Sequence, residues 1–165
     1  MLRYLSYDIV FQEIPGEVSL AINISNCPNR CKDCHSPQLW ENIGEALDEK
    51  AIAYLLDKYG NAITCICFMG GDAYPQTVAD AALFSKATTN GRIKTGWYSG
   101  RNALPEASFL HYFDFIKLGA YKADLGGLDS LTTNQRFYRI VNGEMRDCTN
   151  LFRKSRTIAN AGGRS

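Results

Sequence analysis

Cys27, Cys31 and Cys34 fall within one eight-residue stretch, Cys27-Pro28-Asn29-Arg30-Cys31-Lys32-Asp33-Cys34. Thiolates are the natural ligands of soft metal ions and iron–sulfur clusters, and so tight a loop can aim three sulfurs at one centre. The number of sulfurs matters. A structural zinc site closes with four protein ligands, and an ordinary 4Fe–4S cluster has one cysteine per iron. A cubane held by three cysteines leaves one iron open to an exchangeable ligand, which makes it a place for reaction.

The weaker alternative is a zinc knuckle or a redox pair. His35 is on hand as a fourth ligand, but it follows Cys34 directly, and adjacent residues rarely reach one metal without strain. No second Cys-x-x-Cys pair lies downstream. Cys65 and Cys67 stand two apart in an apolar run, on one face of a strand, which assigns them to the core. Cys148 has no evident partner. A second chemical signal is Gly70-Gly71-Asp72, which ends that apolar run and lets backbone approach a ligand closely.

Both signals need elements to hold them. Alternation over residues 4–12 and 17–25 predicts two strands, with Pro15-Gly16 as the turn between them. The cysteine loop follows the second strand directly. Asp48 caps a helix carrying Ile52, Leu55 and Leu56, with Gly60 as its stop. A buried strand over 63–69, a helix over 75–89 and a strand over 92–98 come next, then a short helix over 105–113 and a strand over 115–121. This repeat of strand, loop and helix predicts an α/β fold with a parallel sheet. A closed (β/α)₈ barrel takes about 250 residues, so a barrel here is partial and open. Asn142-Gly143 predicts a hairpin within 136–148. In such sheets ligands bind at the carboxyl ends of the strands, so the cysteine loop and Gly70-Gly71-Asp72 should share one rim.

The chain has 165 residues, 45% hydrophobic and 21% charged, with a formal net charge of +1. Those values fit one globular domain over residues 1–165, with a flexible tail over 149–165, and give no basic field for nucleic acid or membrane. Arg3, Asp8, Glu13 and Glu17 interrupt the apolar stretches near the amino terminus, which excludes a secretory leader or a membrane span there. Clustered thiols point to a reducing compartment, the cytoplasm.

Cys-x₃-Cys-x₂-Cys followed by a glycine-rich strand end resembles the radical S-adenosylmethionine superfamily. The segments 34–40 (Cys-His-Ser-Pro-Gln-Leu-Trp), 69–72 (Met-Gly-Gly-Asp) and 133–136 (Thr-Asn-Gln-Arg) narrow the resemblance to the activating proteins of class III anaerobic ribonucleoside-triphosphate reductases, over residues 2–138. The resemblance implies an open parallel β/α barrel of the radical S-adenosylmethionine type with a short C-terminal extension. It implies a 4Fe–4S cluster on Cys27, Cys31 and Cys34, and S-adenosylmethionine on the fourth iron. Gly70, Gly71 and Asp72 would receive the methionine amino group, and Asp33, Cys34 and His35 would lie along the adenosyl group. Thr95, within Lys94-Thr95-Gly96, would contact ribose or carboxylate. The partners implied are an anaerobic ribonucleoside-triphosphate reductase, whose glycine becomes a radical, and flavodoxin or ferredoxin as electron donor. An activase of a formate-lyase type of glycyl-radical enzyme and a non-catalytic iron–sulfur or zinc module are the alternatives. Two departures stand out: Asp33 occupies a position that is often aromatic, and Ile14-Pro15-Gly16-Glu17 replaces a Gly-Pro-Gly with its following arginine. Asn134-Gln135-Arg136 binds partner backbone or a nucleotide phosphate, or fixes the last loop to the barrel.

Overall fold

The computed structural model describes residues 1–153. Eight strands form one mixed sheet in the order β3-β1-β2-β4-β5-β6-β7-β8. Its centre is parallel: β2 (Ser19–Ile24), β4 (Cys65–Met69), β5 (Lys94–Tyr98) and β6 (Phe115–Leu118) run side by side. Both flanks are antiparallel. On one side β1 (Arg3–Val10) pairs with β2 and with the two-residue β3 (Glu45–Ala46); on the other, β7 (Arg136–Val141) pairs with β6 and β8 (Glu144–Asp147).

The expected partial parallel β/α barrel is therefore corrected to a mixed open sheet. A parallel neighbour needs a long crossover, whereas the short links β1–β2 and β7–β8 can only fold back antiparallel. α1 (Glu49–Tyr59) and α2 (Pro75–Thr88) supply two of the crossovers. The expected helix over 105–113 is a 3₁₀ segment, Ala107–His111. Its Ser, Phe and His residues are modest helix formers, and Phe109 and the following Phe113 stack on Trp97 with ring centres 5.9 and 5.5 Å away. Among the described residues, no ring of helices surrounds the sheet.

Strand periodicity divides the core into two layers. Ile66 and Phe68 of β4 face α1 and α2, together with Leu20, Ile22, Ile52, Leu55 and Val78. Cys65 and Cys67 face the other way, onto Ile14, Tyr98, Phe115 and Phe137. Ile14, fully buried, comes from the β1–β2 connection, which folds over that face. The side chain of Asp48 accepts from Ala51 N at 2.8 Å, capping α1 as its sequence indicates. Asn142 and Gly143 both have positive φ, as a two-residue hairpin turn requires.

The expected tail does not begin at residue 149. Thr149 is buried, its Oγ1 accepts from Phe137 N at 2.9 Å, and Phe152 packs edge-on against Phe137 at 5.1 Å. The rest of that segment, 154–165, lies outside the described residues. No helix among the described residues is long and apolar enough to cross a membrane.

Candidate functional site

Four loops leave the carboxyl ends of the parallel strands on one rim: the cysteine loop after β2, Gly70-Gly71-Asp72 after β4, Ser99-Gly100-Arg101 after β5 and Gly119-Ala120-Tyr121 after β6. The expected meeting of the first two is direct. Asn29 Nδ2, inside the cysteine loop, donates to Asp72 Oδ2 at 2.6 Å.

The loop itself is held mainly by backbone. Asn26 and Arg30 take positive φ, bending the chain out and back. Asn26 N donates to Glu41 O and Cys27 N to Leu39 O, each at 2.9 Å, which closes the base of the loop. Arg30 lies over the Trp40 ring at 5.7 Å, so Trp40 covers the loop from outside. Two sulfurs already have hydrogen-bond donors: Ser36 N points at Cys34 Sγ (3.4 Å) and Asn29 Nδ2 at Cys27 Sγ (3.7 Å). Burial pushes the Cys31 thiol above its usual range, and the charges of Cys27 and Cys34 push it further. Among the described residues no group of three or more His, Cys, Asp or Glu is arranged to hold a metal ion. The donor chemistry is nevertheless that of an iron–sulfur ligand set: three thiols in one loop, two of them with N–H donors of the kind that tune cluster sulfurs.

Cys65 and Cys67 belong to a different environment. Both are fully buried, and burial pushes the Cys65 thiol up to about 12 and that of Cys67 well above its ordinary value. Thiols this hard to ionise are poor metal ligands, as their place in the core suggests. Cys148 is half-buried and packs against the same layer.

Gly70-Gly71-Asp72 is more occupied than a bare ligand cradle. Trp97 Nε1 donates to Gly70 O at 2.8 Å and Tyr74 N to Gly71 O at 3.0 Å, leaving each carbonyl one further lone pair. Gly71 has φ +89°, and a Cβ there would meet Val78 Cγ2 at 2.4 Å. Gly71→Ala is expected to destabilise the apoprotein by ~2–4 kcal/mol through overpacking plus left-handed strain, read from its urea midpoint. A loss under ~1 kcal/mol would show that α2 yields easily. The Asp72 carboxylate is buried and takes three donors: Ser99 Oγ at 2.6 Å, Gly100 N at 2.9 Å and Asn29 Nδ2 at 2.6 Å. It clamps three loops of the rim together.

Asp33 and His35 are exposed on the far side of the cysteine loop. Asp33 Oδ2 accepts from Ala123 N at 3.2 Å, and the His35 ring meets the Tyr121 ring at 4.4 Å. Between this loop and residues 120–124 lies a cavity of about 740 Å³, lined by Asn29, Cys31, Asp33, Tyr121 and Lys122 among others. Pockets of ~300–1,000 Å³ suit small organic ligands. Asn134 Nδ2 donates to Ala120 O at 2.9 Å and Gln135 Nε2 to Gly119 O at 3.2 Å. These two residues fix the wall of that cavity.

Thr95 is not brought to the site. β5 starts at Lys94, so Thr95 sits at its amino end, fully buried, with Oγ1 donating to Tyr112 O at 2.7 Å. Thr95→Val should cost ~1 kcal/mol of stability by urea denaturation and leave ligand affinity at the rim unchanged. A tenfold weaker ligand affinity in that variant would return Thr95 to the site.

Lys117 is the residue that sequence reasoning misses. It lies on β6 with its side chain buried, and Nζ donates to Ser99 O at 3.1 Å and Gly119 O at 3.0 Å. Its signal is a single cation inside the otherwise apolar run Phe115-Ile116-Lys117-Leu118.

The family profile of the 4Fe–4S single cluster domain matches residues 15–138, about three quarters of the chain. The chain belongs to that family. The matched stretch runs from the start of the parallel centre into β7 and contains the whole rim, so the 4Fe–4S single cluster domain coincides with the cysteine loop and the loops beside it. No curated protein and no solved structure matches the chain.

Proposed function

We propose that this 4Fe–4S single cluster domain is an activase of the radical S-adenosylmethionine kind, with an anaerobic ribonucleoside-triphosphate reductase as its protein substrate. The supporting observation is the shared rim: a three-cysteine loop bonded through Asn29 to the Gly-Gly-Asp turn, beside a cavity of about 740 Å³. When bound, the cluster supplies the electron that splits a sulfonium carbon–sulfur bond, releasing methionine and a 5′-deoxyadenosyl radical that takes a hydrogen atom from the partner's glycine.

The chain's own residues bind and orient. Cys27, Cys31 and Cys34 hold the cluster. The remaining lone pairs on the Gly70 and Gly71 carbonyls receive the methionine ammonium, while Asp72 keeps the turn and the cysteine loop in register. Asp33, Cys34 and His35 line the adenosyl side, opposite the wall at 120–124. A flavodoxin or ferredoxin delivers the electron. Arg30, Lys32 and Lys122 at the mouth of the cavity would offer basic side chains to either protein partner.

The family match names only a cluster, so a non-catalytic electron-carrying domain is the second reading. Anaerobic reconstitution followed by dithionite and S-adenosylmethionine separates the two. The activase reading expects 5′-deoxyadenosine, and with the reductase a glycyl doublet in the electron paramagnetic resonance spectrum. A loaded cluster that yields no 5′-deoxyadenosine leaves the carrier. A doublet with a formate lyase but none with the reductase moves the protein to that partner.

A further inference from the structure

Among the described residues, Asp72 and Lys117 are the charged side chains that are buried. Both sit at the rim that carries the cysteine loop, Asp72 after β4 and Lys117 near the end of β6. The Lys117 ammonium is held by two backbone carbonyls and lies 5.6 Å from the centre of the Tyr98 ring. Burial works against its charge, and the buried Asp72 carboxylate works for it. Asp72 in turn connects to the loop through Asn29, whose amide also points at Cys27 Sγ. Lys117 joins this chain at Ser99, whose carbonyl accepts from Nζ while its hydroxyl donates to Asp72, and the chain ends at Cys27 through Asn29.

We propose that Lys117 is a positioning residue that, with Asp72 and Asn29, sets the reduction potential of the centre held by Cys27, Cys31 and Cys34. The inference rests on the cluster assignment and is independent of S-adenosylmethionine cleavage. Reduction adds one negative charge at the loop. A fixed cation in a low-dielectric site favours the more negative form, so Lys117 raises the potential. A hydrogen bond to a ligand sulfur acts in the same direction, which makes Asn29 a smaller contributor of equal sign. Asp72 moderates both while holding them in place. A purely structural lysine would give the strands cohesion without moving the potential.

The test is an anaerobic redox titration of the reconstituted full chain, without S-adenosylmethionine, followed by electron paramagnetic resonance. Wild type is compared with Lys117→Met, Lys117→Gln, Lys117→Arg and Asn29→Ala, with urea unfolding of each apoprotein alongside. Both neutral Lys117 variants are expected to shift the reduction equilibrium at least tenfold toward the oxidised form, ~59 mV for a one-electron couple. Lys117→Arg should stay near wild type, and Asn29→Ala should shift the same way by less. A loaded Lys117→Met at the wild-type potential overturns the inference, as does Lys117→Arg shifting as far as Lys117→Met. Loss of fold in both neutral apoproteins overturns it too, by making the ammonium a structural group. A wild-type chain that takes up no iron is a different result: the cluster assignment itself has then failed.

Discussion

Cys31→Ala is expected to leave a folded protein that neither retains a 4Fe–4S cluster nor forms 5′-deoxyadenosine. Partners that only orient a metal ligand are worth ~10–100-fold in affinity or activity, and the loss of a ligand itself should exceed that. Iron and sulfide content after anaerobic reconstitution reads the first effect, and product formed after dithionite and S-adenosylmethionine reads the second. Cys31 is half-buried in a loop closed by backbone bonds at 26 and 27, so the variant should unfold close to the wild-type urea concentration. The control is Cys65→Ala. That thiol lies fully buried in the layer with Ile14 and Phe137, and its loss should lower stability while leaving iron content intact. If Cys31→Ala kept its iron and Cys65→Ala lost it, the ligand assignment would be wrong.

The second large effect belongs to Asp72. Asp72→Ala removes a buried carboxylate that serves Ser99, Gly100 and Asn29, and it leaves the Lys117 ammonium without the negative charge that most favours it. Stranding a buried charge in this way costs ~3–5 kcal/mol. At a slope of ~2 kcal/mol/M the urea midpoint should fall by about 2 M. The loss should appear in the apoprotein, with no iron and no S-adenosylmethionine present, because the clamp is made between protein groups. Asp72→Asn should fall between the two, since its amide keeps one acceptor but turns N–H groups toward donors. A cost below ~1 kcal/mol would mean that the carboxylate is a rim group free to meet a ligand.

Much of this was legible in the chain because each signal has a local cause. Cysteine spacing within one loop does not depend on tertiary structure, and the loop's place follows once the preceding residues alternate as a strand. The caps and turns at Asp48 and Asn142-Gly143 likewise need only their own backbone chemistry. The sheet's closure was not legible. A run of strand–loop–helix units is common to barrels and to open sheets; what decides here is that β1 and β7 fold back antiparallel and that only a 3₁₀ segment precedes β6. β3 is two residues long and shows no periodicity. Thr95 is one residue into β5, at the end of the strand opposite the rim, and its hydroxyl is taken by Tyr112 O. Asp72 and Lys117 were hidden for a different reason. Sequence shows a carboxylate and an ammonium, but only the folded rim shows that the carboxylate serves other loops and that the ammonium is buried against the loop after β5.

The central claim is tested most directly by Mössbauer spectroscopy of the protein reconstituted anaerobically with isotopically labelled iron, recorded without and with S-adenosylmethionine. The account predicts one iron distinct from the other three, with its signal alone moving when S-adenosylmethionine is added. Four equivalent irons that ignore S-adenosylmethionine would contradict it.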